Sequence, residues 1–340
     1  MKALVTGGGG FLGKRVVEML VEEGWQVRNI ARGAYPELAA LGVDSRQVDL
    51  CDAEAVAEAI EGVDAVFHVA AKFGFAGSRE VYYAINVGGT QNVIDGMVKH
   101  GVSRLIYTGT PSVVGYKTDQ EGISQAPYAE HFEALYGETK AAAEQLVLAA
   151  NGREIAGGRK LATVALRPHL VFGPGDLRLI PTAVERARSG RLPIVGDGKN
   201  KVDLTYIDNA AGSHLDAAQA LTGPDSPCAG KAYFISNDEP VVLWEWFNAL
   251  LPLVGAPPIT RKVSLGLAST IGGAMEWAWN TFGLSGEPRM TRFMAAALAR
   301  SHWYDMGPAK RDFGYYIRVD MTEATARTVA WFNEKQAKAA

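Results

Sequence analysis

Cysteine is nearly absent from this 340-residue chain: Cys51 and Cys228 stand far apart in no CxxC spacing. That excludes a disulfide framework and a thiolate zinc site. The six histidines (68, 100, 131, 169, 214 and 302) never fall three or four residues apart, so no metal site is expected. An excess of charge is also missing. Thirty-four Lys and Arg against 37 Asp and Glu leave a net charge of −3, which argues against a nucleic-acid partner. No uninterrupted apolar run is long enough to cross a membrane. Val263 to Leu284 comes nearest, with Glu276 its single charge in 22 residues, but Ser264, Ser269, Thr270, Gly272, Gly273 and Asn280 break it up. It reads as a buried helix pair or an apolar entrance to a site, leaving room for no more than weak association with a membrane surface. No leader pattern precedes the first strand signal at Ala3, so a reduced, cytoplasmic, soluble protein is expected.

With 48% hydrophobic residues, the chain can bury a full core. Short apolar runs (Ala3 to Val5, Val27 to Ala31, Arg46 to Val48, Ala65 to Ala70, Leu105 to Tyr107, Thr163 to Leu166) alternate with helical patterns (Phe11 to Glu22, Ala53 to Ile60, Asn86 to Lys99, Tyr136 to Ala150). Such alternation predicts an α/β fold with a doubly wound, Rossmann-type parallel sheet over residues 1–170. Beyond Arg167-Pro168 the regularity fades into the turn signals Gly173-Pro174-Gly175-Asp176 and Gly196-Asp197-Gly198. Residues 171–340 are expected to form mainly a smaller substrate lobe, with segments near 202–210 and 232–240 returning to the main sheet. Six of the seven tryptophans fall at or beyond Trp244, and most are expected to fill that lobe's core.

The first strand runs into Gly7-Gly8-Gly9-Gly10-Phe11-Leu12-Gly13, which opens a helix. Gly7 permits the tight turn, Gly10 lets backbone approach a pyrophosphate, and Gly13 lets the helix pack on the strand. The free N–H groups of Phe11, Leu12 and Gly13 would face the phosphates. Enzymes that use NAD place an acid at the end of the second strand, whereas Arg32 stands there here. An arginine fork suits a 2′-phosphate, so NADP(H) is favoured over NAD(H). Asp49 and Leu50, ending the third strand, are candidates for the adenine, with a helix cap as the plainer role for Asp49.

Tyr136 and Lys140 lie four apart in a helical stretch and so share a face. A nearby ammonium would bring a phenol, with an ordinary pKa near 10, into working range for proton transfer. The strand Leu105 to Tyr107 ends in Thr108-Gly109-Thr110-Pro111-Ser112, which places a hydroxyl at the same sheet edge.

Together these motifs make the chain similar to the extended short-chain dehydrogenases/reductases. The match includes the glycine loop, Asp49-Leu50, His68-Val69-Ala70-Ala71, Asn86-Val87-Gly88-Gly89-Thr90, Tyr136 and Lys140, and Arg167-Pro168 with its following turn. The segments Asp203 to Asn209 and Trp303 to Tyr315 resemble the 3β-hydroxysteroid and sterol-4-carboxylate dehydrogenase branch, and within it the bacterial 2-alkyl-3-oxoalkanoate reductases of olefin biosynthesis. The resemblance implies that Tyr136, Lys140 and Thr110 are catalytic, with Ser112 as the fallback hydroxyl, and that Ala70 and Ala71 border the cofactor. It leaves Asn86 either a site residue or the start of a helix, and Arg167 a structural one. It implies interconversion of a ketone and a secondary alcohol on a hydrophobic substrate, foremost reduction of a 2-alkyl-3-oxoalkanoic acid. The alternatives are a 3β-hydroxysteroid (4-carboxylate) dehydrogenase and an NAD-dependent sugar-nucleotide epimerase or dehydratase. A non-enzymatic NADP sensor is disfavoured by the tyrosine–lysine pair. Lys72, just past the fourth strand, is a candidate partner for a substrate carboxylate, with a solvated loop lysine as the plainer role. A homodimer, and assembly with other pathway enzymes, are further implications.

Overall fold

A computed structural model describes residues 1–74, 77–284, 286 and 288–339. Seven parallel strands form the main sheet: β1 (Lys2–Thr6), β2 (Gln26–Ala31), β3 (Asp44–Gln47), β4 (Ala65–His68), β5 (Arg104–Thr108), β6 (Ala162–Pro168) and β7 (Lys231–Ile235), in the order β7-β6-β5-β4-β1-β2-β3. The order turns back between β1 and β4. In a parallel sheet of this kind a crevice opens at that point, beyond the carboxyl ends of the strands.

Alternation along each strand sends neighbours to opposite faces. Ala3, Val5 and Phe67 pack with Val16, Val17 and Leu20 of α1 (Phe11–Glu22) on one side. Leu4, Val66 and Leu105 pack on the other with α2 (Ala53–Ile60), α3 (Gly89–His100) and α4 (Leu135–Ala149). Each buried Val, Leu or Ile contributes roughly 1.5–3 kcal/mol, which is why near-continuous apolar strands fold only when covered on both faces.

Beyond β6 lies a second core. It gathers α5 (Leu179–Arg188), α7 (Leu243–Leu253), the first turn of α8 (Leu265–Phe282) and part of α9 (Arg292–Ala299), with Trp244 and Phe247 among its buried members. Between these helices α6 (Ile207–Ala220) returns to cover the main sheet beside α1, where Arg15 pairs with Asp208 at 2.7 Å. The chain crosses between the two regions in both directions. Segment 231–235 supplies β7, whereas Thr205–Tyr206 pairs with Val171–Phe172, and Gln120–Ile123 pairs with His302–Tyr304 in a small lobe sheet.

The apolar segment 263–284 differs from its expected form. α8 packs on α9 along one side but leaves Leu267, Ile271, Trp277 and Phe282 exposed, so it is not a buried helix. Glu276 turns inward to Arg292, a pairing that hydropathy cannot foresee. The side chain of Asn280 lies outside the described residues. Among the described residues no helix is long and apolar enough to cross a membrane.

Candidate active site

The glycine loop takes the form its spacing demands. Gly7 has φ +73°, where glycine is at ease, and Gly10 caps α1 without a side chain. A Cβ on Gly13 would sit 2.2 Å from the Gly7 carbonyl oxygen, so only glycine allows α1 to come this close. Gly10 would meet nothing nearer than that same oxygen at 3.3 Å. The loop is therefore a cradle open on the side where N–H groups of α1 lack partners, which fits a pyrophosphate. Substituting Gly13→Ala is expected to cost about 1–3 kcal/mol by overpacking, seen as a lower urea midpoint, and to weaken dinucleotide binding in a fluorescence titration.

One cavity of about 1370 Å³ starts at this loop and runs into the second core. At its nucleotide end it is bordered by Gly7, Gly10, Arg32, Asp49, Leu50 and Ala70. Phe11, Leu12, Gly13 and Ala71 also reach the wall, so the sequence's candidates for the cofactor converge in space, apart from Lys140; Lys72, the candidate for a substrate carboxylate, lines the same cavity. Arg32 is exposed there. The Asp49 carboxylate accepts from the N–H of Cys51 at 2.9 Å, while the cap of α2 is Asp52 instead. Tyr35, which no local motif marks, lays its ring against Gly9 and lines the same end.

At the middle of the cavity α4 presents Tyr136, half-buried. Its phenol is hydrogen-bonded with Thr110, whose hydroxyl donates to Ser112 Oγ at 3.2 Å and accepts from the Ser112 N–H at 3.3 Å. Thr110 holds this position because it caps the short 3₁₀ turn Pro111–Val114. Burial pushes the Tyr136 phenol up to about 12, and the Thr110 hydrogen bond pulls it the other way. Phe73 sets its ring edge against Tyr136 at 4.9 Å.

Lys140 lies one turn on, but behind the cavity wall. Its ammonium donates to the Thr108 carbonyl at 2.5 Å and sits 4.0 Å over the Tyr107 ring. Burial lowers it to about 7. Spacing put the two side chains on one face; which partner the lysine takes was settled by a carbonyl on β5. One more turn along the same stripe, fully buried Glu144 receives Arg167 Nη2 at 2.6 Å and the Tyr128 hydroxyl at 2.8 Å.

Asn86 does not begin a helix. It sits within a π-helical turn, Tyr83–Gly88, that leads straight into α3. Its amide grips the backbone of Lys72 at both ends, accepting at 2.6 Å and donating at 3.1 Å, and donates to Thr139 at 2.9 Å. The wider turn brings that amide to the loop after β4. Beneath it, Thr90 donates to the Asn86 carbonyl, so His68 Nε2 donates to Thr90 and Nδ1 accepts from Thr6. Burial and the Lys140 charge hold His68 neutral, at about 3.

The far arm of the cavity is lined by Leu170, Leu192, Trp244, Phe247, Phe293 and Leu298. Of the downstream tryptophans expected mostly in the core, Trp244 is both buried and on this wall. His169 and His302 border the same arm, Nε2 of the first donating to Nδ1 of the second at 2.7 Å, an orientation fixed by the bond from His302 Nε2 to the Ala297 carbonyl. Among the described residues no cluster of three metal-ligating side chains occurs.

Comparison with known proteins completes the description. The model of the 3-beta hydroxysteroid dehydrogenase/isomerase family matches residues 4–261. The chain belongs to that family. Members similar to it include a 2-alkyl-3-oxoalkanoate reductase of Stenotrophomonas maltophilia, 52% identical over 97% of this chain and 99% of that one. The corresponding reductase of Shewanella oneidensis is 44% identical over 96% and 85%. The human decarboxylating sterol-4-alpha-carboxylate 3-dehydrogenase is 33% identical over 97% and 88%. Among solved structures, a dTDP-glucose 4,6-dehydratase of Streptomyces venezuelae with NAD bound superposes with a TM-score of 0.74 at 24% identity, covering 99% of this chain and 98% of that one. That likeness is one of fold. As a member of the 3-beta hydroxysteroid dehydrogenase/isomerase family, the chain is a dehydrogenase/reductase.

Proposed function

We propose that this protein uses NADP(H) to interconvert a ketone and a secondary alcohol on a hydrophobic substrate, foremost by reducing a 2-alkyl-3-oxoalkanoic acid to the 3-hydroxy acid. The observation that carries the reading is the Thr110–Tyr136 pair, set midway between a pyrophosphate cradle and an apolar arm of one cavity. The names of the two most similar relatives described above support the substrate class.

When bound, the cofactor supplies the hydride. Thr110 and Tyr136 would hydrogen-bond the ketone oxygen, and Tyr136 would protonate it as charge develops, its phenolate then regaining a proton from solvent. Lys140 would bind the nicotinamide ribose and stabilise the phenolate, which requires its ammonium to share or leave the Thr108 carbonyl. The raised resting pKa keeps the phenol protonated at neutral pH, ready to donate, and the lysine's charge is what would lower it into working range.

Arg32 supports NADP(H), since it is exposed at the nucleotide end with its side chain free to fork onto a 2′-phosphate. Arg32→Ser is expected to weaken NADPH binding by about tenfold or more and to leave NADH nearly unchanged, measured by fluorescence titration. The whole reading is tested by following reduced nicotinamide with long-chain 2-alkyl-3-hydroxy acids, 3β-hydroxysterols and sugar nucleotides. Turnover confined to sterols, or to sugar nucleotides with cofactor that copurifies, would overturn the substrate assignment.

A further inference from the structure

Two arginines border the far arm of the cavity, Arg186 and Arg289. Leu179, Thr182, Ala183 and Arg186 recur at helical spacing on the cavity side of α5, and Arg289 enters from the segment before α9. Several inward-turned arginines elsewhere have close acidic partners: Arg15 with Asp208, Arg28 with Asp44, Arg167 with Glu144 and Arg318 with Asp216. Arg186 is half-buried and its side chain makes no hydrogen bond or close ion pair among the described residues, while its exposed neighbour Glu185 lines a small hollow beside it. Burial disfavours the Arg186 charge, the Glu185 carboxylate partly offsets this, and nearby Arg289 disfavours it further. Arg186, Arg191 and Arg289 all border that hollow, in which Glu185 is the single carboxylate of the described lining, an excess of positive charge that suits an anion.

The hollow, of about 230 Å³, opens off the cavity, while Leu192 and Leu298 flank Arg186 and Arg289 with apolar surface. A long side chain on a helix leans toward the helix N-terminus, which carries the Arg186 head back toward Thr182 and the turn before α5. That turn reaches the reacting end of the cavity, because Arg178 lies 4.9 Å over Phe73, which in turn touches Tyr136. The ammonium of Lys72, by contrast, sits 4.9 Å over the Tyr82 ring and against Gly77.

We propose that Arg186 and Arg289 form an anion subsite that recognises the carboxylate of an otherwise apolar substrate. The site rests on the oxidoreductase reading only for the identity of its natural ligand. It is tested by calorimetric titration of the full chain with dodecanoate and with its uncharged counterpart, dodecanamide. The unaltered protein is expected to prefer the carboxylate by about tenfold or more, the worth of a charge-assisted hydrogen bond. Arg186→Gln with Arg289→Gln removes that preference, and Arg186→Lys retains part of it. Equal binding of acid and amide by the unaltered protein overturns the proposal. So does a preference that survives the double substitution, or one that disappears in Lys72→Ala instead. Because no turnover is needed, an inactive protein that still prefers the acid would sink the redox reading and leave the subsite standing. In turnover, the same substitutions are expected to lower the ratio of kcat/KM for a 3-hydroxy acid over its methyl ester, by raising KM for the acid.

Discussion

Tyr136→Phe is expected to lower turnover by about 10²–10⁴-fold while cofactor titration stays close to that of the unaltered protein. The ring that meets Phe73 is preserved, so packing should hold; only the proton donor beside Thr110 is lost. Turnover within tenfold of normal would remove Tyr136 from the proposed chemistry. The direction of pH dependence gives a second test. Reduction needs the protonated phenol, present below its pKa and lost above it; oxidation needs the phenolate and so gains as pH rises. With the resting phenol pushed up to about 12, reduction should be nearly flat from pH 6 to 9 as far as Tyr136 is concerned. Oxidation should climb by up to about tenfold per pH unit until the working pKa is reached. Cofactor and a reoriented Lys140 would bring that plateau down, so its position reports whether the ammonium has moved. In Lys140→Met the plateau should shift upward, a change that mere loosening of α4 would not produce.

Glu144→Ala is expected to destabilise the fold by about 3–5 kcal/mol, measured as a shift in urea unfolding at constant slope, because it strands the Arg167 guanidinium in the interior. Glu144 is fully buried and accepts from both Arg167 and Tyr128. Its carboxylate also lies where a Cβ on Gly109 would have to go, directly beneath the loop that carries Thr110. Replacing Glu144 and Arg167 together by Leu should recover much of the stability, since two apolar side chains leave no orphaned charge. Catalysis need not recover with it, because the floor under Gly109 and Thr110 would then be differently shaped. A double variant no more stable than Glu144→Ala would show that the pair is not the source of the loss. The structure thus gives three successive turns of one helix stripe, at Tyr136, Lys140 and Glu144, separate duties: cavity wall, carbonyl contact and buried ion pair.

What could be read from the residues alone was whatever is encoded within one or two turns of chain. The helix Phe11–Glu22 was legible to its ends, because a glycine loop precedes it and apolar residues recur at period 3.6. The glycine spacing of the loop carried its own geometry, since Gly13 is dictated by an oxygen only six residues earlier. Tyr136 and Thr110 could be nominated together because each sits at a fixed offset from a strand or helix end, and the sheet order delivers both to one edge. Family membership followed from the same short motifs.

Other features depended on partners far away in sequence, where local periodicity carries no signal. The contact of Lys140 with a carbonyl on β5, the wide turn that turns the Asn86 amide to Lys72, and the ring of Tyr35 over Gly9 are all of this kind. So are the exposure of α8 despite its apolar composition and the pairing of His169 with His302. The sequence by itself determined the parallel sheet, the turn of the glycine loop and the candidates for the proton-bearing side chains, because propensity, glycine and helix spacing act over a few residues. Only the tertiary structure decided the shape of the cavity, which arginines face it and where the lysine's charge goes. Burial and pairing are properties of space, and chain segments separated by hundreds of residues share them only once folded.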